Sequence, residues 1–337
     1  VATLNTIGEE AITANGVRAA ARRLMGHAVR TPLLESQRLN DIAGGRVLLK
    51  AEALQRGGSF KLRGAYNLLS RLPDDIRARG VVAWSSGNHA QGVAIAAKTF
   101  GCPAVIVMPA DAPAIKTEMV RFYGADIVWY DRYTEDREAM GMTLCEERGM
   151  TLAPSYDHPD IIEGQGTVAL ETVDQARDMG AVLDQFVICC GGGGLTAGCA
   201  TILEDMAPEA GVVIAEPEGF DEAWASLKLG RRLTADVSQK TICDAIATPS
   251  PGRLTFPIMQ RRVTGGASVT ENEVKKAVVF AFRHLKIVLE PGGAAALAAV
   301  LSGKASTQGK TTAITLSGGN IDPALFSSIL VDEEENA

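Results

Sequence analysis

Four short stretches combine residue types that do chemistry with glycines that let a backbone approach a ligand. They are Ser59-Phe60-Lys61-Leu62-Arg63-Gly64, Ser85-Ser86-Gly87-Asn88-His89, Gly191-Gly192-Gly193-Gly194 and Ser317-Gly318-Gly319-Asn320. Lys61 is the nucleophile to explain. Gly57-Gly58 breaks the chain ahead of it, Ser59 is a candidate N-cap, and Leu62, Ala65 and Leu69 share a helical face. The spacing therefore predicts Lys61 in a first helical turn. There the positive end of the helix dipole disfavours an ammonium, and a lysine that titrates near ~10.4 must be pushed well down to act as a nucleophile. Taken alone, a lysine is far more often a solvated helix-face residue.

The glycine run follows an apolar segment, Val187–Cys190, and precedes a helical one. Glycine lets N–H groups crowd onto an anion, and the helix start adds its dipole, so the stretch predicts a phosphate cradle. Its alternative is a tight turn, at a high cost in conformational entropy. Two phosphate ligands stay open on these residues alone. Gly192-x-Gly194-x-x-Ala197 loosely fits a dinucleotide fingerprint, with Glu216 where a ribose-binding acid would lie. Gly309-Lys310-Thr311 mimics the end of a P-loop, but it precedes a strand and its glycine spacing is off.

The elements that must hold these stretches alternate in type. Apolar runs at Arg46–Glu52, Val81–Trp84, Ala104–Met108, Asp126–Tyr130, Gln185–Cys190, Val212–Glu216 and Thr312–Leu316 read as strands. Helical periodicity covers Val17–Leu24, Ala90–Phe100, Ala114–Tyr123, Thr134–Arg148, Gly166–Met179, Leu195–Met206, Glu271–Leu285 and Gly293–Leu301. Short strands separated by helices predict parallel βαβ units in an α/β protein, with ligands at the carboxyl ends of the strands. Thr241–Pro257 reads as loop, and Asp332–Glu335 as a frayed, solvated end.

At 337 residues, 46% hydrophobic and 22% charged, the chain has the make-up of a two-domain globular enzyme. A net charge of −7 without a basic stripe argues against nucleic acid. No run reaches the apolar length of a membrane span, and Glu9, Glu10 and Asn15 interrupt any signal-peptide core. Six cysteines without a Cys-x-x-Cys predict buried thiols in a reducing cytoplasm.

Taken together and in order, the motifs SFKLRGAYN, SSGNHAQG, GGGGLTAG and LSGGN resemble the fold type II pyridoxal-phosphate enzymes, more narrowly the threonine/serine dehydratase and serine racemase group. The resemblance runs from about Arg30 to Leu330. It implies two open parallel-sheet domains of the tryptophan synthase β type with the cofactor between them. The large domain would be 1–79 with 151–337, and the small one 80–150. Lys61 would hold the cofactor covalently and, once freed, act as base on Cα. Phe60 would lie against the cofactor ring, Asn88 would bond its hydroxyl oxygen, Gly191 to Leu195 would hold its phosphate, and Ser317 would face its nitrogen, with Glu290 near that end. Ser85, Ser86, Gly87, Asn88 and His89 would grip the substrate carboxylate. Ser86 sits where racemases of the group carry a second proton donor, and His89 would position and not act as an acid.

The resemblance also implies a Mg²⁺ or Ca²⁺ loop at Glu216, the Phe220 carbonyl and Glu222, against the alternative of an acidic solvated turn. It implies a homodimer. Gly57 stands where many relatives have threonine, which is expected to loosen the cofactor side of the pocket. The chain stops soon after Asn320, with no room for the regulatory domain of biosynthetic threonine dehydratases, so end-product inhibition is not expected. The activity implied is elimination of water and ammonia from a β-hydroxy amino acid, threonine or serine first, to a 2-oxo acid. A hydroxyaspartate dehydratase or a serine racemase would share every motif. Different classes are a nicotinamide-dependent oxidoreductase on the Gly192 fingerprint, and a non-catalytic amino-acid-binding protein.

Overall fold

A computed structural model describes residues 8–335 except 113, 132 and 237. Its ten strands are β1 (Leu33–Glu35), β2 (Arg46–Lys50), β3 (Val81–Trp84), β4 (Ala104–Pro109), β5 (Asp126–Tyr130), β6 (Thr151–Leu152), β7 (Gln185–Cys189), β8 (Gly211–Pro217), β9 (Val263–Val269) and β10 (Thr311–Thr315). They form two sheets, one of order β1-β2-β10-β7-β8-β9 and one of order β5-β4-β3-β6. Every pairing is parallel except β1 with β2. Strands such as β4 and β7 are buried along their whole length, because helices cover both faces of each sheet. The result is an α/β architecture with the parallel βαβ units that the alternating pattern predicts, arranged in the two sheets that the resemblance implies.

Apolar clusters fill the layers on either face of each sheet. The helix that begins at Lys61 (Lys61–Arg71) puts Leu62, Ala65 and Leu69 into the core of the four-stranded sheet. Its other side packs on the long helix Pro159–Asp178, which in turn packs on Gly194–Met206, the helix that follows the glycine run. At their glycines these contacts are backbone to backbone. A Cβ added at Gly164 would lie 2.6 Å from the Arg63 carbonyl oxygen and the Gly64 Cα. One at Gly198 would collide with the Ile162 carbonyl oxygen, and one at Gly92 would lie 2.9 Å from the Lys61 carbonyl carbon.

Several expectations need correction. The long helix starts at Pro159, seven residues before Gly166, with the His158 ring accepting the Asp160 N–H at 3.1 Å. Gly164 and Gly166 both lie inside this helix and are contact surfaces. A helix, Thr255–Arg262, begins inside the expected loop, with Pro257 in its first turn where no N–H is needed. β9 went unread because Gly265 and Gly266 hide its pattern, and Gly266 leaves room for the Trp224 ring. The Glu271–Phe280 helix ends in a π-turn over Ala281–Leu285. The expected frayed end belongs to the helix Pro323–Glu335.

Candidate active site

Lys61 is the first residue of its helix, and Phe60, already helical, precedes it. Ser59 is not the cap. It is extended and pairs with Gly318 in an antiparallel bridge, which stitches the segment before the lysine to the turn after β10. The Phe60 N–H donates to the Ser317 carbonyl at 3.3 Å, and the Gly319 N–H to the Gly58 carbonyl at 2.9 Å. Asn320 Nδ2 reaches the Gly57 carbonyl and Asn88 Oδ1, both at 2.7 Å. Asn88 Nδ2 donates to Glu290 Oε1 at 2.5 Å, and the Glu290 N–H to the Gly318 carbonyl at 3.1 Å. Four separate parts of the chain are thereby one hydrogen-bonded unit.

These turns line one cavity between the two sheets. Its walls include Phe60, Lys61, Ser85 to His89, Gly191 to Leu195, Glu290 and Ser317. The Lys61 amine donates to the Ser155 carbonyl at 3.0 Å. Burial pushes it down to about 8, against the opposing charge of Glu290. Burial, the largest of the causes, is what lowers it. Gly57 does not face the cavity. A Cβ there would point at Ile95, so the expected loosening of the cofactor side does not arise.

Gly193 is left-handed at φ +88°, and Gly194 opens a helix whose first N–H groups have no intrahelical partner. A Cβ on Gly192 would meet the Tyr156 ring at 2.5 Å, and one on Gly191 the Ile246 carbonyl oxygen at 2.7 Å. The run is thus a cradle that side chains would fill, which fits a phosphate. A buried low-pKa amine, a buried Ser317 hydroxyl and this cradle share one cavity, and together they fit pyridoxal phosphate.

In the turn after β3, the Ser85 hydroxyl accepts the Gly87 N–H at 3.2 Å, and Asn88 and His89 open a helix (Asn88–Phe100). The His89 ring is buried and donates through Nε2 to the Ala153 carbonyl at 2.7 Å. Burial, with the Lys61 charge, pushes His89 down to about 3, which suits a neutral positioning group and not an acid.

Glu216, Phe220 and Glu222 lie outside the cavity. Glu216 accepts the Ala223 and Trp224 N–H groups at 3.1 and 2.8 Å, and burial pushes its carboxyl up to about 8. Glu222 Oε2 is buried without a hydrogen-bond partner. Among the described residues no three His, Cys, Asp or Glu side chains gather as a metal cluster.

Some cavity residues carried no signal in the sequence. Tyr156 lies in a polar loop, Arg137 is an ordinary first residue of a helix, and Asp244–Pro249 reads as featureless loop. Asn320 was signalled only as part of the Ser-Gly-Gly-Asn turn. Arg63 was seen as motif but not as structure. Its guanidinium makes paired bonds of 2.7–2.9 Å to both Glu52 and Glu171, while Lys50 bonds Glu171 at 2.6 Å. Glu52, Arg63 and Lys50 are fully buried, so β2, the lysine helix and the long helix share one ionic knot.

The family described as pyridoxal-phosphate dependent enzyme matches residues 24–318, and the chain belongs to it. It is 43% identical over 311 residues to an L-threo-3-hydroxyaspartate ammonia-lyase of Pseudomonas sp, covering 92% of this chain and 96% of that protein. It is 38% identical over 318 residues to a serine racemase of Schizosaccharomyces pombe, covering 94% and 97%. Among solved structures, a threonine deaminase from T.th. superposes with a TM-score of 0.87 at 43% identity, over 92% of this chain and 99% of that one.

The ionic knot makes a pH-dependent prediction. Burial would raise the Glu52 carboxyl, but Arg63 outweighs it and holds Glu52 below its ordinary 4.5. The pair's contribution is therefore present above pH 4.5 and lost as pH falls through the lower folded value. Arg63→Met, which strands a buried carboxylate, should cost about 3–5 kcal/mol at pH 7. In urea unfolding that gap should narrow at acid pH, and an equal gap at both would contradict it.

Proposed function

We propose that this protein eliminates water from a β-hydroxy amino acid, L-threonine or L-serine in the first instance, giving a 2-oxo acid and ammonia. The observation that carries the reading is a buried amine of pKa about 8 in the same cavity as a glycine cradle at a helix start. Bound there, pyridoxal phosphate supplies an electron sink that acidifies the Cα–H of the amino acid joined to it.

The chain's own residues divide the rest. Lys61 holds the cofactor and, as a free amine partly neutral near pH 8, takes the Cα proton. Gly191 to Leu195 hold the phosphate and Phe60 packs on the ring. Ser317 faces the ring nitrogen, where a hydroxyl, unlike a carboxylate, leaves that nitrogen largely unprotonated. Asn88 has its carbonyl oxygen committed to Asn320 and one N–H to Glu290, so its second N–H serves the ring oxygen. Ser85, Ser86, Gly87 and the N–H groups of Asn88 and His89 grip the substrate carboxylate, with Ser86 the carrier of any second proton transfer. The proposed division of labour puts cofactor binding on 1–79 and 151–337 and the substrate loop on 80–150. A homodimer rests on the resemblance alone, and a reducing, cytoplasmic setting on six free cysteines. No helix among the described residues is long and apolar enough to cross a membrane.

A second reading, 3-hydroxyaspartate as substrate, is favoured by Arg137. This guanidinium lines the cavity, pairs with no carboxylate among the described residues, and could take a second carboxylate. We also place a divalent cation, Mg²⁺ or Ca²⁺, at Glu216, the Phe220 carbonyl and Glu222. The unpartnered Glu222 Oε2 beside a second buried carboxylate fits a hard cation in a structural role.

The purified protein should show a visible band that borohydride abolishes, with the label mapping to Lys61. Lys61→Ala should lose both band and ammonia release, and retention of both would defeat the reading. With 3-hydroxyaspartate, Arg137→Met should raise KM about tenfold or more, the loss of one charged hydrogen-bonded pair, and leave KM for serine within about twofold. Equal changes for both substrates would remove Arg137 as a selector. Millimolar Mg²⁺ or Ca²⁺ should raise the melting temperature of the wild type but not of Glu222→Gln, and an equal rise in both would exclude the site.

A further inference from the structure

Between β6 and the long helix, the segment 153–157 meets a different part of the site at almost every residue. The Ala153 N–H donates to the Val82 carbonyl at 2.8 Å, and its own carbonyl accepts the His89 Nε2–H at 2.7 Å. The Ser155 carbonyl accepts the Lys61 amine at 3.0 Å. The Tyr156 ring closes on Gly192 with no room for a Cβ, and its hydroxyl reaches the Ser250 carbonyl at 3.4 Å. Asp157 accepts the N–H groups of Arg253 and Leu254 at 2.9 and 2.8 Å. A surface connection is normally mobile, whereas this one is anchored on the substrate loop, the lysine, the phosphate cradle and the turn behind the cradle.

We propose that this segment sets where the free Lys61 amine rests: the Ser155 carbonyl is its acceptor, and His89 and Tyr156 are the positioning residues that hold that carbonyl in place. The inference depends on the reading above that Lys61 holds the cofactor and takes the Cα proton.

The groups chosen suit that task. A carbonyl oxygen accepts one amine N–H and adds no charge, so the amine is oriented without being fixed as an ammonium. A carboxylate in its place would favour the charged form and spoil the base. The donor that holds the segment must likewise be neutral, since a lysine or arginine there would set a second cation beside Lys61. A carbonyl can only accept, so His89 carries its proton on Nε2 and anchors Ala153 as a neutral ring across the working pH range. Tyr156 supplies the opposite anchor by packing, which ties the height of the Ser155 carbonyl to the floor of the cradle.

The test compares His89→Gln, whose amide N–H can replace Nε2–H, with His89→Leu, which has no donor, and adds Tyr156→Leu, which keeps His89 and removes the second anchor. One readout is independent of turnover: reductive methylation of Lys61 against pH in the full chain before cofactor is added, followed by peptide mass spectrometry. The wild-type midpoint should lie near 8. His89→Leu and Tyr156→Leu should lower it by about one unit, the effect of weakening one hydrogen bond to the charged form, and His89→Gln should restore it. In the loaded enzyme, the acid limb of the kcat profile should move the same way, kcat should fall about tenfold to a hundredfold, and KM should change little. Unchanged midpoints and limbs in both leucine variants would overturn the inference, as would a His89→Gln variant no better than His89→Leu. Lys61→Ala separates the two levels: if it keeps colour and turnover, the underlying reading falls, and if it loses both while the leucine variants titrate as wild type, only the inference falls.

Discussion

The site depends on helices that approach backbone to backbone at their glycines. Gly64 and Gly164 seat the lysine helix on the long helix, and Gly166 and Gly198 seat the long helix on the one that opens at the cradle. Gly92 brings the substrate-loop helix onto the lysine helix in the same way. An interface made of side chains can repack by rotamer changes, whereas one made of backbone atoms has a single spacing. The spacing between the start of the lysine helix and the Gly191–Gly194 run is therefore set in part by main-chain contacts. A methyl group at any of these glycines has to move a helix.

Polar groups inside this frame are consistent with the same rigidity. Lys50, Glu52 and Arg63 are withdrawn from water, and breaking such a set costs far more than making it returns. What the knot adds is direction. Arg63 is two residues from Lys61, and its fork is matched by carboxylates from the segment after β2 and from the long helix, so the lysine helix cannot rotate without unpairing buried charge. Burial then acts in the same direction on two ionisable side chains of the cavity. It pushes the Lys61 amine down to about 8 and the His89 ring down to about 3.

The sequence carried the strand ends well because parallel strands buried on both faces are unbroken apolar runs, and the turns after them are rich in glycine and serine. β3 and β5 fall where the pattern puts them, and the turns after β3, β7 and β10 do meet in one cavity. It failed where a residue's ordinary meaning was reversed by packing. The long helix was read only from Gly166 although Gly164 lies within it, Gly265 and Gly266 disguise a strand, and Ser59 looks like a cap while serving as a bridge to Gly318. In these cases the deciding partner is far away along the chain. Local propensity does not contain it.

The same distinction explains why the motifs define a class of reaction more sharply than a substrate. The groups proposed to hold the cofactor sit on strand ends and helix starts fixed by the two sheets, so their order in the chain is constrained by topology and can be read as motif. Groups at the rim come from other places: Arg137 from the first turn of a helix behind the four-stranded sheet, and Asp244 to Pro249 from a loop crossing in front of Gly191. An arginine at the start of a helix has no required neighbours, and a loop that only has to pass near a glycine can be built from many sequences. On the proposed assignment, catalysis falls to residues the fold cannot relocate and selectivity to residues it can.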